Sequence, residues 1–147
     1  MQLVFTKGSG KFDRMEVVRA SGSVERIDCP KQRIIPHDMV HYGVESVLSH
    51  RGFLSLVAEG QGAAFATAGG APEEAIERLV EAFQAEMWGG PVPAEELLDA
   101  YRLGCEARGH ASVPVSAEDV EEIRQRLDSL TEQWSALPVG ESLVLEI

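Results

Sequence analysis

The chain has 147 residues, 44% of them hydrophobic and 25% charged, with a formal net charge of −11. That is enough for one domain with its own core and no need of disulfide staples, while no apolar run approaches the roughly 20 residues that span a bilayer, so a membrane protein is excluded as an expectation. The charge is unevenly placed: residues 1–60 carry 8 Lys and Arg against 7 Asp and Glu, and residues 61–147 carry 5 against 17, a surface that repels a phosphate backbone and argues against nucleic-acid binding.

Taken in chain order, the first elements are short and β-rich. Residues 2–6, 14–20 and 23–29 are separated by Gly8-Ser9-Gly10 and Ser21-Gly22, which predicts an antiparallel meander. Met15 and Val17 alternate with Glu16 and Val18, so one face of the sheet is apolar and should be covered by helices. Pro36 suits the first turn of a helix and Asp38 suits the positive end of its dipole. A helix from about Pro36 to Ser49 follows, with Val40, Val44, Val47 and Leu48 on one face and Gly52 as a stop. In residues 53–70 the run Phe-Leu-Ser-Leu-Val-Ala reads as strand or short helix, and Gly60, Gly62, Gly69 and Gly70 make the rest a loop.

Three further helices are clearly signalled. Pro72-Glu73-Glu74 opens a run with Ile76, Leu79, Val80, Phe83 and Met87 on one face, stopped by Gly89-Gly90. Pro93-Ala94-Glu95-Glu96 opens the next, which offers Leu97, Leu98 and Tyr101 to the core and ends at Gly109. Ser116 and Asp119 have capping-box spacing, with Val115 and Val120 spaced as a hydrophobic staple. Val120, Ile123, Leu127, Leu130 and Trp134 then mark a core-facing stripe too short for an extended coiled coil. Pro138-Val139-Gly140 turns the chain into a closing apolar strand, Leu143-Val144-Leu145-Glu146-Ile147. The expectation is one α+β domain over residues 1–147, an antiparallel sheet of about four strands (the N-terminal meander plus the C-terminal strand) covered by about four helices.

Chemistry concentrates in the first helix, where His37, His41 and Glu45 stand at i, i+4 and i+8 and form one row at the edge of the buried stripe. Two imidazoles at that spacing reach one divalent ion, and a carboxylate one turn on completes three protein ligands, which suits zinc or a similar metal. Asp38 would lie behind the ligands as their support. The glutamate that a His-Glu-x-x-His peptidase uses as base is missing, since Asp38 stands in its place. His37 is the weaker ligand of the pair, because a one-residue shift of the helix start would turn it away.

Other motifs fall short. Lys7-Gly8-Ser9-Gly10-Lys11 lacks the first glycine and the Ser or Thr of a phosphate-binding loop and reads as a hairpin turn. Gly60-x-Gly62 lacks the third glycine of a dinucleotide fingerprint, so no cofactor-binding residue is assigned. There is no Gly-x-Ser-x-Gly, and Cys29 and Cys105 are far apart and read as packing residues. Two lone cysteines and an N-terminal apolar run too short for a signal-peptide core point to a reducing cytoplasm.

Three segments, Lys11-Phe12-Asp13-Arg14-Met15-Glu16-Val17, Pro36-His37-Asp38-x-x-His41-x-x-Val44-Glu45 and Leu137-Pro138-Val139-Gly140-Glu141, together resemble a group of small bacterial proteins without an established activity. The resemblance implies a bacterial origin and a single-domain layout, and carries over no catalytic residue. Two function classes therefore stand: a small non-catalytic interaction or structural protein, open to a protein partner or a homodimer, and a metal-binding protein or metal-dependent hydrolase centred on His37, His41 and Glu45.

Overall fold

The period-two pleat of a strand places Leu3 and Phe5 on one side of β1 (Gln2–Thr6), and both are fully buried. In the computed structural model, which describes residues 1–48 and 71–147, β1 is flanked by β2 (Phe12–Val18), which is followed outward by β3 (Val24–Pro30). The C-terminal strand β4 (Ser142–Glu146) pairs on the other side of β1, giving the order β3-β2-β1-β4 with every pairing antiparallel. The register lines up Ile27, Met15, Phe5 and Leu143 in one row across the sheet and Glu25, Val17, Leu3 and Leu145 in the next. These cross-strand rows form the floor of the core, whereas Phe12, Val24 and Val144 on the opposite face are about half exposed.

The second and third strands keep the expected inward face, with Met15 and Val17 buried, but their bounds are shifted. β2 begins at Phe12, two residues before Arg14, because Asp13 is drawn inward: its carboxylate oxygen accepts the Gly8 backbone N–H at 2.9 Å and lies 3.8 Å from Lys31 Nζ. A Cβ on Gly8 would stand 2.1 Å from the Phe12 carbonyl oxygen, so this turn requires glycine for space. The Gly-Lys segment is thus the hairpin between β1 and β2.

The helices cover the apolar face. They are α1 (His37–Glu45), α2 (Ala71–Gly89), α3 (Ala94–Ala107) and α4 (Ala117–Ala136), and none among the described residues is long and apolar enough to cross a membrane. The architecture is α+β, as the periodicities predict. At the start of α4 both halves of the capping box form, Ser116 accepting from the Asp119 N–H and Asp119 from the Ser116 N–H. Gly109, at φ +75°, follows the end of α3, where its left-handed backbone lets the His110 N–H reach back to the Cys105 carbonyl. The first helix is shorter than expected, ending at Glu45 with Ser46 as its cap and not running to Ser49. Residues 53–70 and the Gly52 stop lie outside the described residues.

α1 packs against both α2 and α4. Close approach to α4 depends on Gly43, where a Cβ would meet Leu127 Cδ2 at 2.5 Å. Val120, Ile123, Leu127, Leu130 and Trp134 are all buried within this one chain, so the stripe on α4 serves the internal core. Leu127→Ala should therefore cost about 2–5 kcal/mol, as cavities left by large apolar side chains do. Urea denaturation measures this directly. A variant as stable as the parent would mean that α4 does not depend on the Gly43 contact.

Candidate metal centre

The i, i+4 spacing on α1 stacks His37 and His41 so that their ring centroids are 4.8 Å apart with the planes at 77°. Their Nε2 atoms face each other at 3.2 Å. The carboxylate that meets both comes from α2, not from α1: Glu77 Oε1 is 3.3 Å from His37 Nε2, and Glu77 Oε2 is 2.9 Å from His41 Nε2. His37, His41 and Glu77 are the group of ligand-type side chains whose donor atoms converge among the described residues.

Glu45 is close by in a different position. It accepts the His41 Nδ1–H at 3.0 Å, on the far side of the ring from Glu77, and so orients an imidazole where the sequence reading has it as a third ligand. On a straight helix the row His37, His41, Glu45 drifts by about 40° per step, which carries Glu45 round to the outer nitrogen of His41. His37 has an analogous partner: its Nδ1 lies 3.0 Å from Gln84 Oε1, two turns beyond Glu77 on α2. Outer hydrogen bonds of this kind set which ring nitrogen is left bare.

Burial makes these interactions strong. His41 is 1% exposed and Asp38 4% exposed. Burial alone would push the His41 pKa down, but hydrogen bonds and charge from Glu45 and Glu77 overcome it and raise the value to about 10. For Glu77 burial acts upward, yet the two histidines hold the carboxyl well below the ordinary carboxylate range. Asp38 shows the opposite balance: burial raises its pKa and the charges of His41 and His37 offset this only in part. Among the described residues its Oδ1 is buried without a hydrogen-bond partner, and Asp38 acts on the site through the field of its charge. Burial followed by the Asp38 charge also pushes the Cys29 thiol up to about 12, which leaves that cysteine an unreactive packing group.

No protein-family model matches this chain, and no curated protein or solved structure is significantly similar to it. What the site can do must be read from its own atoms.

Two of its members escape a reading of α1 alone. With Ile76, Leu79, Val80, Phe83 and Met87 defining the apolar stripe of α2, Glu77 and Gln84 both fall about 80–100° from its centre, on one edge of that helix. A signal exists in Gln84, a polar residue wedged beside Phe83 that is 6% exposed. A buried amide in that position needs partners.

Proposed function

We propose that this chain binds zinc or a similar divalent transition-metal ion through His37 Nε2, His41 Nε2 and the Glu77 carboxylate. The observation that supports the reading is the convergence of the three groups, one donor atom from each lying within 4.8 Å of the others, with the two Nε2 atoms 3.2 Å apart and the carboxylate reaching His37 through Oε1 at 3.3 Å and His41 through Oε2 at 2.9 Å. Four ligands placed tetrahedrally about 2.0 Å from an ion lie about 3.3 Å from one another. Two imidazole nitrogens and one oxygen favour zinc and its neighbours over magnesium or calcium, which prefer all-oxygen sets. Three protein ligands leave a fourth position to be completed. Completed by water it would equip the protein for metal-dependent hydrolysis, and completed by a side chain it would serve structure.

A second reading has its own observation. His41 keeps a proton up to pH of about 10, so the same side chains form an ion-pair hub in which a proton sits where a metal would. In that metal-free form, the raised pKa stabilises the fold fully below the ordinary histidine value of 6.5, and the contribution is lost as pH rises through about 10. The hub alone needs only one histidine, however. Two imidazoles with their Nε2 atoms turned on one point and both Nδ1 atoms engaged outward are what a metal site requires.

Calorimetric zinc titration at pH 7.5, in two buffers of different ionisation enthalpy, tests the choice. We expect one site tighter than about 100 μM, about 5.5 kcal/mol of binding free energy, with about one proton released because zinc must displace it from His41. Affinity should climb with pH up to about 10, the value to which His41 is raised. Absence of such a site at pH 8.5 would leave the ion-pair hub as the function of the cluster.

A further inference from the structure

The two imidazoles are oriented by different chemistry. A carboxylate, Glu45, holds His41, whereas His37 is held by an amide that is itself held by a second amide. We propose that Gln32 and Gln84 form a relay that fixes neutral His37 as its Nδ1–H tautomer, leaving Nε2 bare and aimed at His41 and Glu77. Its purpose rests on the metal-binding reading, although its hydrogen bonding does not.

The direction of the relay is set at one end by the backbone. The Ile35 carbonyl can only accept, and it lies 2.9 Å from the Gln32 amide nitrogen, so the NH2 group of Gln32 must face it. That nitrogen carries a second hydrogen, directed to Gln84 Oε1 at 2.9 Å. Were the Gln84 amide turned round, two NH2 groups would oppose each other in a buried site. Gln84 Oε1 therefore accepts, and it must accept again from His37 Nδ1 at 3.0 Å, which places the proton on that nitrogen. A neutral imidazole has one N–H. In this neutral tautomer His37 Nε2 is a lone pair, able to accept the His41 Nε2–H at 3.2 Å; Glu77 Oε1 at 3.3 Å is an acceptor as well and takes a hydrogen from His37 only when that ring is protonated.

Each link belongs to a different element. Gln32 lies in the connection between β3 and α1, Gln84 on α2 and His37 at the start of α1. The Trp88 indole N–H, also on α2, donates to the Gln32 backbone carbonyl at 2.8 Å and pins the connection against that helix. The relay also explains why an amide and not a carboxylate occupies position 84. Asp38, Glu45 and Glu77 already surround the histidines, and an amide orients His37 without adding a fourth acidic group.

The test reads the tautomer directly, by long-range proton–nitrogen correlation spectra of the histidine side chains in metal-free protein from pH 6 to 9. Wild-type His37, when neutral, should show protonated Nδ1 and bare Nε2. Gln84→Met, close in shape but without an acceptor, should shift His37 toward the Nε2–H form and weaken zinc binding by roughly 10- to 100-fold. Gln84→Glu restores the acceptor and should restore both the tautomer and the affinity. Gln32→Ala, outside any helix or strand, frees the Gln84 amide to turn and should give a mixed tautomer, and it keeps the test decisive if Gln84→Met fails to fold. An Nε2–H form in the wild type, or a tautomer unmoved in these variants, overturns the relay. A protein that binds no zinc but still switches tautomer in Gln84→Met would refute the metal reading while leaving the relay standing.

Discussion

His41→Ala is expected to eliminate zinc binding and also to cost the metal-free protein about 3–5 kcal/mol, the usual penalty for removing one partner of a buried charge pair. His41 is 1% exposed and lies between two carboxylates, with the Glu45 side chain 6% exposed and Glu77 bonded to the opposite nitrogen. Without the imidazole, Glu45 and Glu77 face each other as like charges across a cavity. Competition with a chromophoric zinc chelator gives the first effect, and urea denaturation in the presence of a chelator at pH 7 gives the second. The deficit should narrow in acid. In the wild type Glu77 has a depressed pKa, so its contribution is present above the ordinary carboxylate value of 4.5 and is lost as pH falls; the variant keeps only the part that His37 supplies and has less to lose. If His41→Ala matches the parent in stability at pH 7, the carboxylates do not depend on His41 and the cluster is looser than its distances imply.

Much of the fold is legible in the sequence because its signals are local. Capping residues at Ser116 and Asp119, a left-handed glycine at Gly109, and the alternation of Met15 and Val17 with their neighbours each act within a few residues of themselves. The closing strand is also readable, since its apolar residues follow a turn and need a sheet edge to cover them; β1 supplies that edge, with Leu143 opposite Phe5 and Leu145 opposite Leu3. Strand bounds and helix length are less legible. Asp13 reads as a polar residue outside a strand, and only its bond to Gly8 across the hairpin shows why β2 starts earlier. The early end of α1 likewise has no local stop signal, as Ser46, Val47 and Leu48 continue an acceptable helical pattern.

The site divides along the same line. His37 and His41 are visible as a pair because one helix presents both, and the structure brings their Nε2 atoms together. Their burial is not visible, since the row falls on the edge of the α1 stripe; α2 covers that edge and takes His41 out of water. Glu77 is invisible for the same reason. It is 36 residues beyond His41 in a helix that looks like an ordinary acidic amphipathic one, and only the packing of α2 on α1 makes its carboxylate the neighbour of both rings.

Glu77→Gln and Glu45→Gln separate the two geometries that the histidine pair allows. With Glu77 as ligand, Glu77→Gln replaces an anionic oxygen with a neutral amide in direct contact with the ion, and zinc affinity should fall by at least about 100-fold, at or beyond the upper end of what loss of an outer partner costs. Glu45→Gln keeps an acceptor beside His41 Nδ1 and loses only the charge that makes the imidazole a stronger donor, so its effect should stay within about 10-fold to 100-fold. Proton competition moves as well. Glu45 and Glu77 both raise the proton affinity of His41, so either variant should make His41 deprotonate at lower pH and shift the pH dependence of zinc binding downward, while only Glu77→Gln removes a ligand. Competition titrations from pH 6 to 11, which pass the raised His41 value of about 10, therefore distinguish an altered proton affinity, which moves the curve along the pH axis, from a lost ligand, which lowers its plateau. A lowered plateau in Glu45→Gln with an intact one in Glu77→Gln would return the third ligand to the row on α1 and reduce Glu77 to a counter-charge.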